Sequence, residues 1–148
     1  MLPRSMRKFA LVLLLAACAT SHSSSSSLTF RSLQSGQEAR QHTAGTRAVA
    51  AADDATYRRL WDQLIGGNPA LIDLSKESAI FLLGGEKPTG GHSVQVLRVT
   101  MEGDVANVWA NVNEPPAGSI NTQVITYPFT VIAIAKPGVT QAHWQQVR

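Results

Sequence analysis

The run Ala79-Ile80-Phe81-Leu82-Leu83 decides the fold of this 148-residue chain, because it is apolar without interruption. Successive side chains of a β-strand point to opposite faces of the sheet. An uninterrupted apolar run of this length is therefore typical of a strand that is buried on both faces.

The residues after this run keep the period of two that β-strands show. Apolar positions change parity at Val96-Leu97, which predicts a β-bulge there, and Gly103-Asp104 predicts a hairpin turn. Apolar and polar residues then alternate strictly over 106–113. A final strand is predicted over about 123–136. Because Pro128 cannot donate to a ladder, we expect this strand at an edge of the sheet or at a bulge.

Upstream of the run, the sequence predicts two short strands, over 28–33 and 46–51, and one helix near 54–65. Asp53 and Asp54 offer N-caps, and Gly66-Gly67 can end the helix. Four apolar residues share one helix face at helical spacing and are expected to pack onto a sheet: Tyr57, Leu60, Trp61 and Leu64.

Together these elements predict a mainly β (α+β) fold in a single domain over 28–148. We expect an antiparallel sheet, either open or folded over itself like a sandwich, with one amphipathic helix packed against it. A chain that is 44% hydrophobic and 16% charged has room for one domain of this kind.

The N-terminus predicts an export signal. Residues 1–8 carry three cations, and nine apolar residues follow at 9–17, too few to span a bilayer but suitable for a signal peptide over 1–17. The sequence Leu15-Ala16-Ala17-Cys18 resembles the lipobox of bacterial lipoproteins. That resemblance implies cleavage after Ala17 and attachment of lipid to Cys18, and two or more acyl chains make a stable membrane anchor.

The residues between this cysteine and the domain predict a flexible tether over 18–27, rich in serine. We therefore expect a lipid-anchored protein of the cell envelope. In a Gram-negative host Ala19, which is not Asp, implies by analogy that the protein is sorted to the outer membrane and faces the periplasm.

Charge and cysteine content exclude several classes of protein. The formal net charge is +3, but residues 18–148 hold ten Lys/Arg and ten Asp/Glu. A neutral domain lacks the cationic face that nucleic acids require, so no nucleic-acid partner is expected. The single cysteine forbids an internal disulfide and a cysteine-based zinc cluster.

The segment Gly84-Gly85-Glu86-Lys87-Pro88-Thr89-Gly90-Gly91-His92-Ser93 is the most unusual part of the domain. It lacks the Lys-Ser/Thr that follows the second glycine of a phosphate-binding loop. An extended His92-Ser93 pair would point to opposite faces, which is poor geometry for proton transfer. The histidines are too dispersed to indicate a metal site. We therefore predict no catalytic residue, no metal and no cofactor, and hence no enzyme.

Several ordered landmarks resemble the C-terminal domain of the PrcB family over about 72–136. They are Asp73-Leu74-Ser75-Lys76-Glu77, the apolar strand, the sequence GEKPTGGHSV, Pro115-Pro116-Ala117-Gly118, and the segment from Gln123 to Phe129. This family is named for a lipoprotein associated with a surface protease complex, and it usually has Tyr where this chain has His92. The resemblance implies a non-catalytic exported domain that stabilises or assists a protease or another envelope protein.

The glycine-rich segment is the candidate partner contact, because proline stiffens it while paired glycines widen its conformational range. The candidate contact residues are Lys87, Pro88, Thr89, Gly90, Gly91 and His92, together with Trp109. Trp109 is either an interface anchor or a residue covered by the helix or the C-terminal tail. An alternative function is inhibition of an envelope protease by presentation of the 85–93 loop.

Overall fold

The computed structural model describes residues 25–147. The predicted signal peptide, the Cys18 lipid site and most of the predicted tether lie outside these residues. Within them, no helix is long and apolar enough to cross a membrane.

Seven strands and one helix make up the described domain. In chain order they are β1 (Phe30–Gly36), β2 (Arg47–Ala51), α1 (Asp54–Leu64), β3 (Ser78–Leu83), β4 (Ser93–Glu102), β5 (Val105–Asn113), β6 (Phe129–Ile134) and β7 (Gln141–Gln146). The strands form a four-stranded antiparallel sheet in the order β1-β6-β3-β2 and a three-stranded sheet in the order β4-β5-β7. The prediction of a mainly β fold with one helix is confirmed, in its two-sheet form.

The four-stranded sheet separates two hydrophobic cores. On one face, alternate residues such as Phe81 and Val131 pack against the helix residues Tyr57 and Trp61. On the other face, residues such as Ile80 pack against the three-stranded sheet. Every residue of β3 and β6 is buried, because both strands are covered on both faces. The prediction drawn from the 79–83 run is therefore confirmed.

The helix forms where its caps predict it. The Asp53 carboxylate accepts a 2.8 Å hydrogen bond from the Thr56 backbone N–H, and this bond lowers the Asp53 pKa. Trp61 is fully buried, and its indole N–H donates to the Gly66 carbonyl oxygen at 3.1 Å. The Tyr57 hydroxyl donates to the Ala70 carbonyl at 2.9 Å, while burial raises the pKa of Tyr57 to about 12.

Local predictions for the three-stranded sheet are also confirmed. The β4–β5 register shifts between Val96 and Arg98, so the bulge lies where the parity changes. Gly103 lies in the turn of the β4–β5 hairpin with a φ of 59°. The bulge leaves Leu97 exposed, whereas the alternate residues of both strands face the core.

Three predictions about strand ends and neighbours are corrected. The first strand runs from Phe30 to Gly36 rather than over 28–33, because it pairs with β6 along that whole length. The last predicted strand does not begin near 123 and does not lie at an edge: β6 begins at Phe129, after Pro128, and lies between β1 and β3. The proline thus stands just outside the ladder, where its missing N–H costs no strand hydrogen bond.

The C-terminal residues form a strand that the sequence analysis did not predict. β7 pairs with β5 in parallel, with Trp109 opposite Gln145. Trp144 points the other way and packs against the core between the sheets. The parallel pairing depends on a long connection through β6, so no local pattern indicates it.

Candidate functional site

Two loops at one end of the domain hold each other in place, and we call them the paired loops. They comprise residues 84–92, between β3 and β4, and residues 114–128, between β5 and β6. Lys87 and Thr126 exchange backbone hydrogen bonds of 2.8 and 2.9 Å, and the Gly90 N–H donates to the Thr122 carbonyl at 2.9 Å. The glycine-rich segment is therefore half of a backbone-bonded pair.

The Thr89 backbone carbonyl is held by two side chains, those of Thr126 and His92. The Thr89 carbonyl accepts from the Thr126 hydroxyl at 2.8 Å and lies 2.9 Å from His92 Nδ1. The end of β1 adds a third support, since the Gln37 side-chain oxygen accepts from the Gly91 N–H at 2.7 Å. These bonds order the loop before any partner arrives, which reduces the entropic cost of binding.

The tight packing of the paired loops explains the glycine pair. A Cβ on Gly90 would collide with the Thr122 hydroxyl, and a Cβ on Gly91 would collide with the Asn121 side chain and lie 2.7 Å from Pro115 Cβ. Gly91 also has a φ of 84°, which side-chain-bearing residues rarely adopt. Both glycines therefore allow the second loop to pack closely against the first, because neither has a Cβ in the way.

The structure divides the predicted contact residues into accessible and inaccessible ones. Pro88 is exposed, and Lys87, Thr89 and Gly91 are half-buried. Gly90 is buried and His92 is only 7% exposed. The expectation that His92 is presented to a partner is therefore corrected. Its imidazole is buried and hydrogen-bonds to the Thr89 carbonyl, so it orders the loop.

Trp109 lies apart from the paired loops. It is half-buried on the outer face of the three-stranded sheet, opposite Arg98 of β4, whose guanidinium carbon is 4.2 Å from the ring centroid. The helix packs on the other sheet and does not cover it. The neighbouring strand β7 lies beside it, through Gln145.

The sequence analysis missed three exposed apolar residues on the second paired loop. Ile120 is fully exposed, and Val124 and Ile125 are more than half exposed, at 56% and 55%. Exposed apolar residues grouped on one short segment are typical of interaction sites. Their pattern QVIT reads as part of a strand, so only the pairing of the loops reveals that these side chains face solvent.

Beside these residues, an aromatic stack braces the base of the paired loops. The Tyr127 ring lies on His42 with a centroid distance of 3.8 Å and an interplanar angle of 6°. Its hydroxyl donates to a Glu86 carboxylate oxygen at 3.0 Å. Partial burial, and then the bond to Glu86, raise the pKa of Tyr127.

Two features of residues 25–147 bear on chemistry: the placement of metal-ligating residue types and that of the His92-Ser93 pair. No group of three or more His, Cys, Asp or Glu side chains within 25–147 is placed to hold a metal ion. The His92 ring bonds to a backbone carbonyl rather than to the adjacent Ser93. What this end of the molecule presents is a rigid, largely backbone-held surface with apolar side chains.

Fold and site together define a small mainly β domain, built of two sheets and one helix, that exposes a surface of paired loops. Residues 79–135 match the family model described as PrcB C-terminal, so the chain carries a PrcB-like C-terminal domain. The match runs from β3 to the end of β6 and includes both paired loops. Comparison with curated proteins and with solved structures found no match.

Proposed function

We propose that this protein is an exported, lipid-anchored accessory protein that binds a protease or another envelope protein and has no turnover of its own. The observation that carries the proposal is the set of solvent-facing apolar side chains, Ile120, Val124 and Ile125, on paired loops held by backbone hydrogen bonds. A rigid apolar patch loses little entropy on binding and gains from burial. The resemblance to the PrcB family supports a protease-associated partner.

The direction of the chain supports this arrangement. Ser27 pairs with Thr100 near the hairpin end of β4, and β1 then runs to Gln37 beside the paired loops. The eight residues of β4 from Thr100 back to Ser93 span about 23 Å. A lipid on Cys18 would therefore hold the domain by the end remote from the paired loops and leave those loops accessible to a partner.

Site-directed photo-crosslinking in intact cells tests the proposal. A photoreactive residue replaces Val124 in the paired loops or, as the matched control, Leu71, which is 93% exposed and equally apolar but lies outside the PrcB match. We expect position 124 to form a discrete crosslink to a protease or another envelope protein, and position 71 to form none. Identical products from both positions would contradict the proposal.

If the crosslinked partner is a protease, its activity is measured while the purified protein is added. This titration distinguishes an accessory protein from an inhibitor. An accessory protein leaves protease activity unchanged or raises it, while an inhibitor abolishes it at one equivalent. Stoichiometric loss of activity would overturn the accessory function and favour the alternative, in which the exposed Pro88 of the 85–93 loop enters the protease.

A further inference from the structure

The outer face of the three-stranded sheet carries planar amides around one tryptophan. Cross-strand pairing places Trp109 between Arg98 and Gln145, and Asn111 opposite Gln95. The alternate residues of the same strands, such as Val108 and Trp144, face the core. This surface lies on the domain's outside and is separate from the paired loops.

A recess opens on this face, near the turn of the β4–β5 hairpin. It has a volume of ≈ 290 Å³ and is lined by residues that include Ser25, Thr100, Glu102, Asn107 and Trp109. Binding sites for small ligands are concave and combine an aromatic or apolar wall with a few placed polar groups. The recess has both components.

Hydrogen bonds hold the polar groups of the recess in position. Asn107 is 7% exposed; its amide nitrogen donates to Glu102 Oε2 at 3.3 Å, and its amide oxygen accepts from Gln145 Nε2 at 3.0 Å. Each of these side chains retains further donor or acceptor capacity, because an amide offers two N–H groups and two lone pairs and a carboxylate about four acceptor sites. These hydrogen-bonded side chains therefore present donors and acceptors at fixed positions.

Arg98 fixes the orientation of the aromatic wall. Its guanidinium stacks over the Trp109 indole at 4.2 Å, a cation–π contact that holds the ring against rotation. Arg98 is therefore a positioning residue for the ring, and Glu102 contributes the carboxylate of the lining.

The polar and aromatic lining of the recess selects the chemical class of the ligand. A nucleic acid requires a cationic surface, and a protein partner requires an apolar centre larger than one tryptophan. Amides match a ligand whose hydroxyl groups both donate and accept, and an indole ring matches a flat array of C–H groups. Pyranose sugars carry both features, so we propose that this recess binds a neutral oligosaccharide.

In this arrangement one sugar ring lies against Trp109, with its hydroxyl groups bonded to Asn107 and Glu102, while Gln145 holds the Asn107 amide from outside the lining. The site is independent of the proposed partner surface: about 30 Å separate the two ends of β4, Ser93 beside the paired loops and Glu102 at the recess. Either proposal can fail without the other.

The test uses the full chain and three neutral probes: chitotetraose, cellotetraose and mannotetraose. The chain has three tryptophans, and their indole N–H signals are followed by NMR during each titration. We expect at least one sugar to shift the Trp109 signal saturably at millimolar concentration and to leave those of Trp61 and Trp144 in place. This readout needs no variant to bind; Trp109→Phe serves only to assign the signal.

Variants then test the assignment. Trp109→Ala is expected to weaken binding at least tenfold, and Ile120→Ala, on the paired loops, to leave it unchanged. The proposal is overturned if none of the sugars shifts the Trp109 signal, or if Trp109→Ala folds and binds as tightly as the parent chain. A shift produced by vesicles of phosphatidylethanolamine and phosphatidylglycerol, and by none of the sugars, would also overturn it and assign the face to a lipid surface.

Discussion

Lys87 and Thr126 exchange both of their backbone hydrogen bonds, at 2.8 and 2.9 Å, although 39 positions of sequence separate them. This single antiparallel bridge joins the loop after β3 to the segment before β6. It turns two glycine- and proline-rich stretches into one ordered surface. The exposed side chains of that surface, Ile125 among them, are neighbours of the bridge.

Close packing between the paired loops predicts a large effect of Gly91→Ala. The new Cβ would meet Asn121 and Pro115 and would also sit at a positive φ. Gly118→Ala is the matched control, because Gly118 has a φ of 78° but nothing within 4 Å of its Cβ position. We expect a loss of about 1 kcal/mol for the control, from backbone strain alone, and about 1–3 kcal/mol more for Gly91→Ala. Urea unfolding measures both, and equal losses would show that the loops are not tightly packed.

Trp61 is the most deeply buried side chain of the helix. Trp61→Ala removes a fully buried indole and its hydrogen bond to Gly66. We expect a loss of about 3–5 kcal/mol in the free energy of unfolding, a large part of the stability of a domain this size. Gln63→Ala, on the exposed side of the same helix, should change that free energy by less than about 0.5 kcal/mol. A small effect at Trp61 would contradict the packing of the helix on the sheet.

The ion pair between Arg31 and Glu77 predicts a pH dependence. The guanidinium binds both carboxylate oxygens, at 2.9 and 2.8 Å, and this contact lowers the Glu77 pKa. Because the folded pKa lies below the unfolded value, the stabilisation is present above the unfolded pKa and is lost as pH falls through the folded one. The pair is partly exposed, so we expect less than about 1 kcal/mol.

Glu77→Gln isolates this contribution. The variant should be less stable than the parent chain near neutral pH and equally stable in strong acid, by denaturant unfolding at a series of pH values. Glu114→Gln is the control, since Glu114 is exposed and has no ion pair within residues 25–147. A difference for Glu77→Gln that persisted unchanged into acid would rule out the ion pair as its source.

Partner binding is expected to depend on the apolar side chains of the second paired loop. Val124→Asp places a charge where the proposed interface is apolar, and we expect it to weaken binding of the crosslinked partner at least tenfold, because an unpaired charge is costly to bury. Leu71→Asp carries the same change at an exposed site elsewhere and should bind normally. Affinity measurements with the purified partner compare the two, and unimpaired binding by Val124→Asp would place the interface on another surface.

The proposed lipid anchor predicts the effect of Cys18→Ser. We expect the parent chain in the membrane fraction, with mass spectrometry showing cleavage after Ala17 and acyl chains on Cys18. The variant, which lacks the thiol that receives the lipid, should leave that fraction. An uncleaved parent chain with a free thiol, recovered in the soluble fraction, would contradict the anchor.

Much of the local structure was predictable because neighbouring residues determine it. The helix follows from Asp53 and from the spacing of its apolar face, and the hairpin and bulge follow from Gly103 and from the change of parity at Val96-Leu97. The PrcB-like domain was likewise recognisable, and the match over 79–135 includes all of its landmarks except Asp73-Leu74-Ser75-Lys76-Glu77.

The candidate site was predictable only in part. The glycine-rich segment stood out, but burial of His92 depends on a Thr89 carbonyl whose position the second loop sets through Thr126. The exposure of Val124 and Ile125 depends on the same pairing, which no periodicity over 123–127 indicates. The sequence marks Trp109 as an interface candidate, but the amides around it come from three different strands.

By itself, then, the amino-acid sequence determined the helix, the β4–β5 hairpin with its bulge, and the burial of the 79–83 strand on both faces, because those properties depend on local caps and turns and on the period of apolar side chains. Only the tertiary structure decided that β6 is central despite Pro128, that β7 returns in parallel beside β5, and which loops meet. Those outcomes rest on hydrogen bonds between residues far apart in the chain, whose partners are selected when the whole core closes.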